Sequence, residues 1–170
     1  MTKPFSLQIP LCTPEATAAF AATIAPLLEP GNTLLLSGDV GVGKTHFARA
    51  LIQARLSKGG VTEDIPSPTY TLVQTYNDGI CDIWHADLYR VFDDAEVVEL
   101  GLVDAFQEAV CLVEWPDRLG AYVPENPLWI KLSTGRTPEY RDANIAGNLP
   151  YWGKILPTLM ASSDRVTSNV

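Results

Sequence analysis

A chain of 170 residues with 46% apolar and 19% charged side chains suits one globular domain with a sizeable buried core. Its formal net charge of −8 argues against a protein that grips nucleic acid by itself, although a role through a partner stays open. Three widely spaced cysteines, no apolar signal core and no run of membrane-spanning length predict a cytoplasmic protein with reduced thiols and no membrane partner.

The first third of the chain predicts strand, helix, strand and helix in that order. Residues 5–9 alternate apolar and polar side chains, as a short strand does. Thr13-Pro14-Glu15 is a typical helix start, with a capping residue, a proline and an early acid. The apolar run 33–37 predicts a second strand. A helix should follow from about Gly43 to Lys58, closed by Gly59 and Gly60.

The middle of the chain predicts a hairpin and then a broken helix. Residues 70–76 are rich in β-branched and aromatic side chains, Asn77-Asp78-Gly79 is a strong turn signal, and residues 80–88 read as the returning strand. This pair would add antiparallel strands to a sheet otherwise built from parallel crossovers. Residues 93–109 turn helical, with a break near Gly101.

The last third predicts two more strands and a closing helix. Compact apolar runs at 110–113 and 128–132 indicate strands, and Thr134-Gly135-Arg136 opens a last hairpin. Residues 151–160 predict a helix, and residues 161–170 a frayed tail. Because no internal repeat or low-complexity linker is visible, the whole chain, 1–170, is predicted to form a single domain.

The most informative stretch joins the second strand to the second helix. Residues 38–45 read G-x-x-x-x-G-K-T, in the strand, glycine loop and helix context that a phosphate-binding loop needs. The glycines let backbone N–H groups point at phosphate oxygens, and the positive end of the helix adds to that field. Lys44 can reach the β- and γ-phosphates, and the Thr45 hydroxyl can ligate Mg2+. We therefore expect a nucleoside triphosphate to bind at Gly38, Asp39, Val40, Gly41, Val42, Gly43, Lys44 and Thr45.

Two acids are candidates for the chemistry around the phosphates. A phosphate loop needs a carboxylate near magnesium, and Glu114 fits because it terminates the apolar run 110–113. Asp87 is a second candidate, on the same face of an alternating strand as His85. The structural alternative for Asp87 is a local salt bridge to Arg90. His85 alone is more often a packing residue, so it stays outside the predicted catalytic set.

Two further residues have a functional and an ordinary interpretation. Thr69 follows a proline in a short segment where a threonine of a nucleotide switch can sense the γ-phosphate through magnesium. The alternative is a turn hydroxyl that caps the backbone. Arg136 follows Gly135 and could reach a phosphate or a nucleobase, or it is a surface arginine. The residues alone leave both choices open.

Taken together, these segments resemble the TsaE family (older name YjeE), small bacterial ATPases that serve threonylcarbamoyladenosine synthesis on tRNA. The phosphate loop by itself is generic, and the rest of the set is much more specific. Order, spacing and total length agree, so the resemblance covers most of the chain. The pieces that match are the loop 38–45, Ser67-Pro68-Thr69-Tyr70-Thr71-Leu72-Val73, His85-Ala86-Asp87-Leu88-Tyr89-Arg90 and Val113-Glu114-Trp115-Pro116.

The resemblance implies an α/β, three-layer P-loop NTPase fold, with a mostly parallel sheet and added antiparallel strands. It also implies ATP hydrolysis that is feeble alone and stimulated in a complex with the transferase proteins TsaB and TsaD, so that tRNA is met only indirectly. By motif match, ATP and Mg2+ contact Lys44 and Thr45, Thr69 lies in a switch-like loop, and Asp87 and Glu114 are the functional acids. Arg136 matches a nucleotide-contacting arginine in a flank that is not distinctive, and His46 stands where the family often has a second threonine.

Three other functions stay open. A small P-loop kinase acting on a metabolite would use an arginine-rich lid, and no segment concentrates arginines. A GTPase would carry an N-K-x-D guanine reader, and no such motif is present. A non-hydrolysing nucleotide-sensing adaptor would keep Lys44 and Thr45 but would not need Glu114.

Overall fold

The computed structural model describes residues 2–58 and 64–164, built around one seven-stranded sheet. The strands are Lys3–Leu11 (β1), Thr33–Ser37 (β2), Val73–Asn77 (β3), Asp82–Asp87 (β4), Val110–Glu114 (β5), Leu128–Thr134 (β6) and Arg141–Leu149 (β7). The helices are Pro14–Ile24 (α1), Lys44–Lys58 (α2), Asp94–Glu99 (α3), Leu102–Glu108 (α4) and Leu156–Asp164 (α5). Two 3₁₀ segments, Ala25–Leu27 and Pro116–Tyr122, follow α1 and β5.

The sheet has a parallel centre with antiparallel strands at both edges. Its order is β1-β7-β6-β2-β5-β4-β3. The four central strands, β6, β2, β5 and β4, run parallel to one another, whereas β3, β7 and β1 are added antiparallel. The predicted α/β fold with a parallel core and added antiparallel strands is confirmed. The carboxyl ends of β2, β5 and β4 therefore meet at one edge, where α/β sheets usually bind their ligands.

Alternate side chains of β2 show why the fold has three layers. Leu34 and Leu36 pack into the cluster that includes α1, α2 and α5, while Leu35 packs into the cluster that includes α3 and α4. All three leucines are 0% exposed, as in a parallel strand covered on both faces. Burying each one stabilises the fold by about 1.5–3 kcal/mol, so a polar substitution at any of them would damage the layer into which that side chain packs.

Local signals set the predicted helix boundaries. The Thr13 hydroxyl accepts a hydrogen bond from the Ala16 N–H at 3.1 Å, and Pro14 is the first residue of α1. Asp93 caps α3 in the same way and forms a capping box with Glu96. Gly101, at φ +83°, separates α3 from α4. The predicted break in this helical stretch is confirmed.

The predicted strand over residues 70–76 is wrong at its start. The chain turns at 68–72 and β3 begins only at Val73. Leu72 takes φ +65°, and its carbonyl oxygen accepts the Asp87 N–H at 2.8 Å. A contact distant in sequence thus overrides the local β preference. The returning strand β4 is also shorter than predicted, because the Asp78 carboxylate holds the N–H groups of Ile80 and Cys81 in the turn.

The predicted closing helix begins late and ends late. Residues 151–155 form turns, and α5 starts at Leu156, so that Pro157 lies in the first turn, where its missing N–H costs no hydrogen bond. Helix α5 continues to Asp164, four residues beyond the predicted helix end at 160. The predicted closing glycines at 59 and 60 and the rest of the tail, 165–170, lie outside the described residues. Among the described helices, none combines the length and the apolar character that a membrane crossing requires.

Candidate functional site

The loop between β2 and α2 takes the curled shape that its glycines predict. Gly38 has φ +134°, and a Cβ atom there would lie 2.3 Å from the carbonyl oxygen of Leu132. Gly41 and Gly43 also have positive φ, at +76° and +116°, although a Cβ atom on either would meet nothing within 4 Å. Gly38 is therefore required by close packing, and the other two by backbone conformation. Helix α2 starts directly afterwards at Lys44, so its positive end faces the loop.

Lys44 is held between the loop and an aromatic ring. Its Nζ atom donates to the carbonyl oxygens of Gly38 and Asp39, at 2.6 and 2.8 Å. The same atom lies 4.2 Å from the centroid of the Trp115 ring, as in a cation–π contact. Burial lowers the pKa of Lys44, against the opposing effect of the nearby carboxylates, first of all that of Glu114. Two of the three ammonium protons are used by carbonyls, which leaves one for an anionic ligand.

Glu114 is a buried carboxylate that receives hydrogen bonds from two elements. It ends β5 at 2% exposure. The Thr45 hydroxyl, at the start of α2, donates to both of its oxygens at 2.9 Å. From β4, the Nε2 atom of His85 lies 2.8 Å from Oε1. Because a buried charge is costly unless hydrogen bonds satisfy it, these contacts are what keeps the carboxylate in place.

Asp87 lies beside Glu114 across the sheet, since the two residues are register partners of β4 and β5. It is 7% exposed. Its Oδ1 accepts the Tyr89 N–H at 3.1 Å, and its Oδ2 lies 3.4 Å from the Thr69 hydroxyl, at the weak limit for a hydrogen bond. Within the described residues no ion pair joins Asp87 to Arg90, so the predicted alternative for Asp87 is wrong.

Arg90 instead fastens the segment that carries Thr69. Its guanidinium donates to the Thr69 carbonyl oxygen and lies 5.7 Å from the centroid of the Tyr70 ring. The Thr69 hydroxyl also lies 2.7 Å from the Ser67 hydroxyl. The predicted switch-like segment is thus held by a few polar contacts, with Tyr70 89% exposed.

These residues share one cavity of about 360 Å³. Lys44, Thr45, Thr69, Asp87 and Glu114, which come from four separate stretches of the sequence, all line it, together with glycines of the loop. The cavity lies at the carboxyl ends of β2, β5 and β4. The structure therefore brings most of the predicted site residues together.

Arg136 lies apart from this group. It is exposed in the turn between β6 and β7, and it is not among the cavity-lining residues in the described part of the chain. The hairpin loop that carries Arg136 closes through the Gly135 N–H and the Tyr140 carbonyl oxygen at 2.8 Å. The arginine that contacts the phosphate loop is Arg141, whose Nε donates to the Val42 carbonyl oxygen at 2.7 Å.

The sequence did not predict three contacts in and around the cavity. Tyr89 and Trp115 pack together with ring centroids 4.9 Å apart, and Trp115 has φ +59°. His85, excluded from the predicted set, contacts the buried acid. The period-two alternation that singled out Asp87 carried the signal for His85 as well. Nothing in the local sequence marks Arg141, because its contact spans 99 residues.

The donor set at the cavity wall fits magnesium. The described residues contain no group of three His, Cys, Asp or Glu side chains that could hold a metal by themselves. Magnesium rarely needs such a cage, since it keeps several waters and takes one or two carboxylates plus phosphate oxygens. The Thr45 hydroxyl beside the Glu114 carboxylate, with Asp87 next to it, supplies the oxygen ligands that this mode requires.

Comparisons with known proteins agree on one family. The family described as "Threonylcarbamoyl adenosine biosynthesis protein TsaE" matches residues 11–142, which include every predicted site residue. The chain is 39% identical over 118 residues to the tRNA threonylcarbamoyladenosine biosynthesis protein TsaE of Bacillus subtilis (strain 168), covering 69% of this chain and 71% of that protein. It is 41% identical over 110 residues to the protein of the same name from Rickettsia bellii, covering 65% and 74%. The crystal structure of YdiB from Bacillus subtilis superposes with a TM-score of 0.73 at 27% identity, covering 95% of this chain and 97% of YdiB.

Proposed function

The chain belongs to the TsaE family, the P-loop ATPases of tRNA threonylcarbamoyladenosine biosynthesis, and from this premise we propose a magnesium-dependent ATPase that the transferase proteins TsaB and TsaD stimulate. One observation carries the proposal. The Thr45 hydroxyl is bonded to the buried carboxylate of Glu114 in the cavity that Lys44 also lines. An alcohol, a carboxylate and an ammonium group at a glycine loop match the parts that phosphoryl transfer uses.

Each side chain has a task that its position supports. Lys44 and the backbone N–H groups of the loop hold the β- and γ-phosphates of ATP. Thr45 and Glu114 hold the magnesium ion, which neutralises charge on the phosphates when it is bound. Asp87, whose carboxylate lines the same cavity, accepts a hydrogen bond from the attacking water. Thr69 reports on the γ-phosphate from the segment above Asp87.

The partner part of the proposal rests on exposed side chains at and near the cavity. Val40 of the phosphate loop is 74% exposed, Tyr70 is 89% exposed and Tyr89 is 48% exposed. Exposed apolar and aromatic side chains beside a catalytic site are typical of a surface that another protein contacts. The net charge of −8 favours contact with tRNA only through such partners, in the cytoplasm where tRNA is modified.

A reconstitution experiment tests this function. The protein is mixed with Mg2+ and ATP, with and without the transferase pair, and phosphate release is measured together with complex formation. We expect slow release alone and faster release in the complex. Unstimulated turnover in a formed complex would contradict the proposal. Transfer of the γ-phosphoryl group to an added metabolite would favour a kinase instead.

A further inference from the structure

A fully buried histidine lies behind the acid of the cavity. His85 is 0% exposed in the middle of β4, so it cannot touch a ligand in the cavity. Its Nε2 atom lies 2.8 Å from Oε1 of Glu114. Its Nδ1 atom is buried and has no hydrogen-bond partner among the described residues. The proposed function gives this side chain no task.

The protons of this contact can be assigned from chemistry. A carboxylate only accepts hydrogen bonds, so Nε2 must be the donor in its contact with Glu114. In the neutral ring this leaves Nδ1 as a bare acceptor in an apolar layer, which costs free energy. A leucine at position 85 would avoid that cost. Leu112, the register partner of His85 on β5, is such a residue. The hydrogen bond to Glu114 offsets the cost of burying an imidazole at this position.

The two donors to Glu114 do different things. The Thr45 hydroxyl has one proton and lies 2.9 Å from both oxygens, so by itself it does not select an orientation of the carboxylate. His85 contacts Oε1 alone. It reaches Glu114 diagonally across the sheet, because the register partner of Glu114 is Asp87, two residues further along β4. The imidazole therefore selects Oε1 as the oxygen that is hydrogen-bonded within the core, and it leaves Oε2 available to the cavity.

We propose that His85 is a positioning residue for Glu114, holding Oε1 so that Oε2 is presented to magnesium and its waters. The inference rests on the proposed function of Glu114. If His85 only filled space in the core, the volume of its ring would matter. In the positioning role the N–H donor matters instead. Donors behind a metal-ligating side chain typically orient it in this way.

Two polar variants of similar size separate donor from volume. The amide nitrogen of His85→Gln can reach the place of Nε2, whereas that of His85→Asn falls near the place of Nδ1 and stops short of Glu114. We expect His85→Asn to lower stimulated kcat and to raise the Mg2+ concentration needed for tight nucleotide binding, each by about 10–100-fold, as loss of such a donor usually does. We expect His85→Gln to keep most of both properties. Binding of a fluorescent ATP analogue, with and without Mg2+, supplies a readout that does not depend on turnover.

A control and a double variant complete the experiment. Ile83→Val shortens another buried side chain on the same face of β4 and should change neither readout, although it lowers thermal stability. If His85 acts through Glu114, then His85→Asn should add nothing on a Glu114→Gln background. Equal behaviour of the Asn and Gln variants, or a His85→Asn loss that multiplies on that background, overturns the inference. Normal turnover of Glu114→Gln alone would instead reject the proposed function.

Discussion

Lys44 and Glu114 carry opposite charges in one small cavity, yet they are satisfied by different groups. Carbonyl oxygens of the loop accept from Lys44, whereas Thr45 and His85 contact Glu114. Replacing Lys44 should therefore leave the acid in place. Lys44→Ala is expected to lower ATP affinity by about 10–100-fold, the value of a charge-assisted hydrogen bond, with little change in melting temperature.

Calorimetric titration with ATP and circular dichroism test this prediction. Lys58→Ala removes an equal charge from the far end of α2 and is the matched control. ATP hydrolysis at the normal rate by Lys44→Ala would show that residues 38–45 are not a functional phosphate loop.

Each of the two acids can be tested by removing its charge alone. Glu114→Gln and Asp87→Asn keep the shape of each side chain, and both should retain nucleotide binding at saturating Mg2+ while stimulated turnover falls by about 10²–10⁴-fold, as for loss of an acid or base group. Phosphate release in the complex measures turnover, and thermal unfolding measures the stability of each variant. A variant with a lower melting temperature and undiminished turnover would assign that acid a structural role only.

Among the elements, the segment 67–71 is held to the rest of the protein by a few side-chain contacts. Its polar contacts run through Ser67, Asp87 and Arg90. Because such a segment can adopt two arrangements at small cost, we expect Thr69→Ala to reduce the stimulation by the transferase pair by about tenfold, while the free energy of unfolding changes by less than about 1 kcal/mol.

Thr71→Ala is the control for this segment, since it removes a second hydroxyl, which accepts a hydrogen bond from the Gln74 side chain at 2.8 Å. Steady-state phosphate release with saturating transferase pair distinguishes the two variants. Identical stimulation of Thr69→Ala and the wild type would exclude Thr69 from the switch.

Elements with strong local signals were predictable, and elements shaped by distant contacts were not. The apolar run of β2, the glycine loop and α2 follow from residues 33–58 alone, and the structure reproduces them within one residue. The turn at 68–72 did not follow, because it depends on a hydrogen bond from Asp87. In the same way, the sequence singled out Arg136, while the contact with the loop belongs to Arg141, which only the β6–β7 hairpin brings near.

At the scale of the whole molecule, a buried ion pair joins α2, the β3–β4 turn and the segment that follows α1. Arg55 of α2 donates to the Asp78 carboxylate in the β3–β4 turn, at 2.6 and 2.8 Å, and to the carbonyl oxygens of Ala25 and Leu28. Both side chains of the pair are about 95% buried. Burial by itself raises the pKa of Asp78, but the N–H groups of Cys81 and Ile80 and the Arg55 guanidinium outweigh it and lower that pKa below its usual value.

Asp78→Asn should therefore destabilise the protein by about 3–5 kcal/mol at pH 7, because it leaves the Arg55 charge buried without its partner. A carboxyl with a depressed pKa stabilises the fold above its unfolded pKa and loses that effect as pH falls through its folded pKa. The difference between Asp78→Asn and the wild type should hence shrink in acid. Urea unfolding at pH 7 and at low pH measures both quantities.

The exposed pair of Lys154 and Glu29 provides the comparison. Lys154→Ala is expected to cost less than about 1 kcal/mol at either pH, since water already surrounds both charges. An equal loss in Lys154→Ala and Asp78→Asn would refute the central role of the buried pair.

Because Gly38 packs against the backbone of β6, the three glycines of the loop should tolerate different substitutions. In a library that randomises positions 38, 41 and 43 and selects for growth dependent on this protein, position 38 should return glycine alone, because any side chain meets the Leu132 carbonyl oxygen. Position 41, at φ +76° and facing open space, should also return asparagine and aspartate, which tolerate a left-handed backbone. Deep sequencing of the survivors would reveal this asymmetry, which the G-x-x-x-x-G-K-T pattern hides by leaving position 41 unspecified.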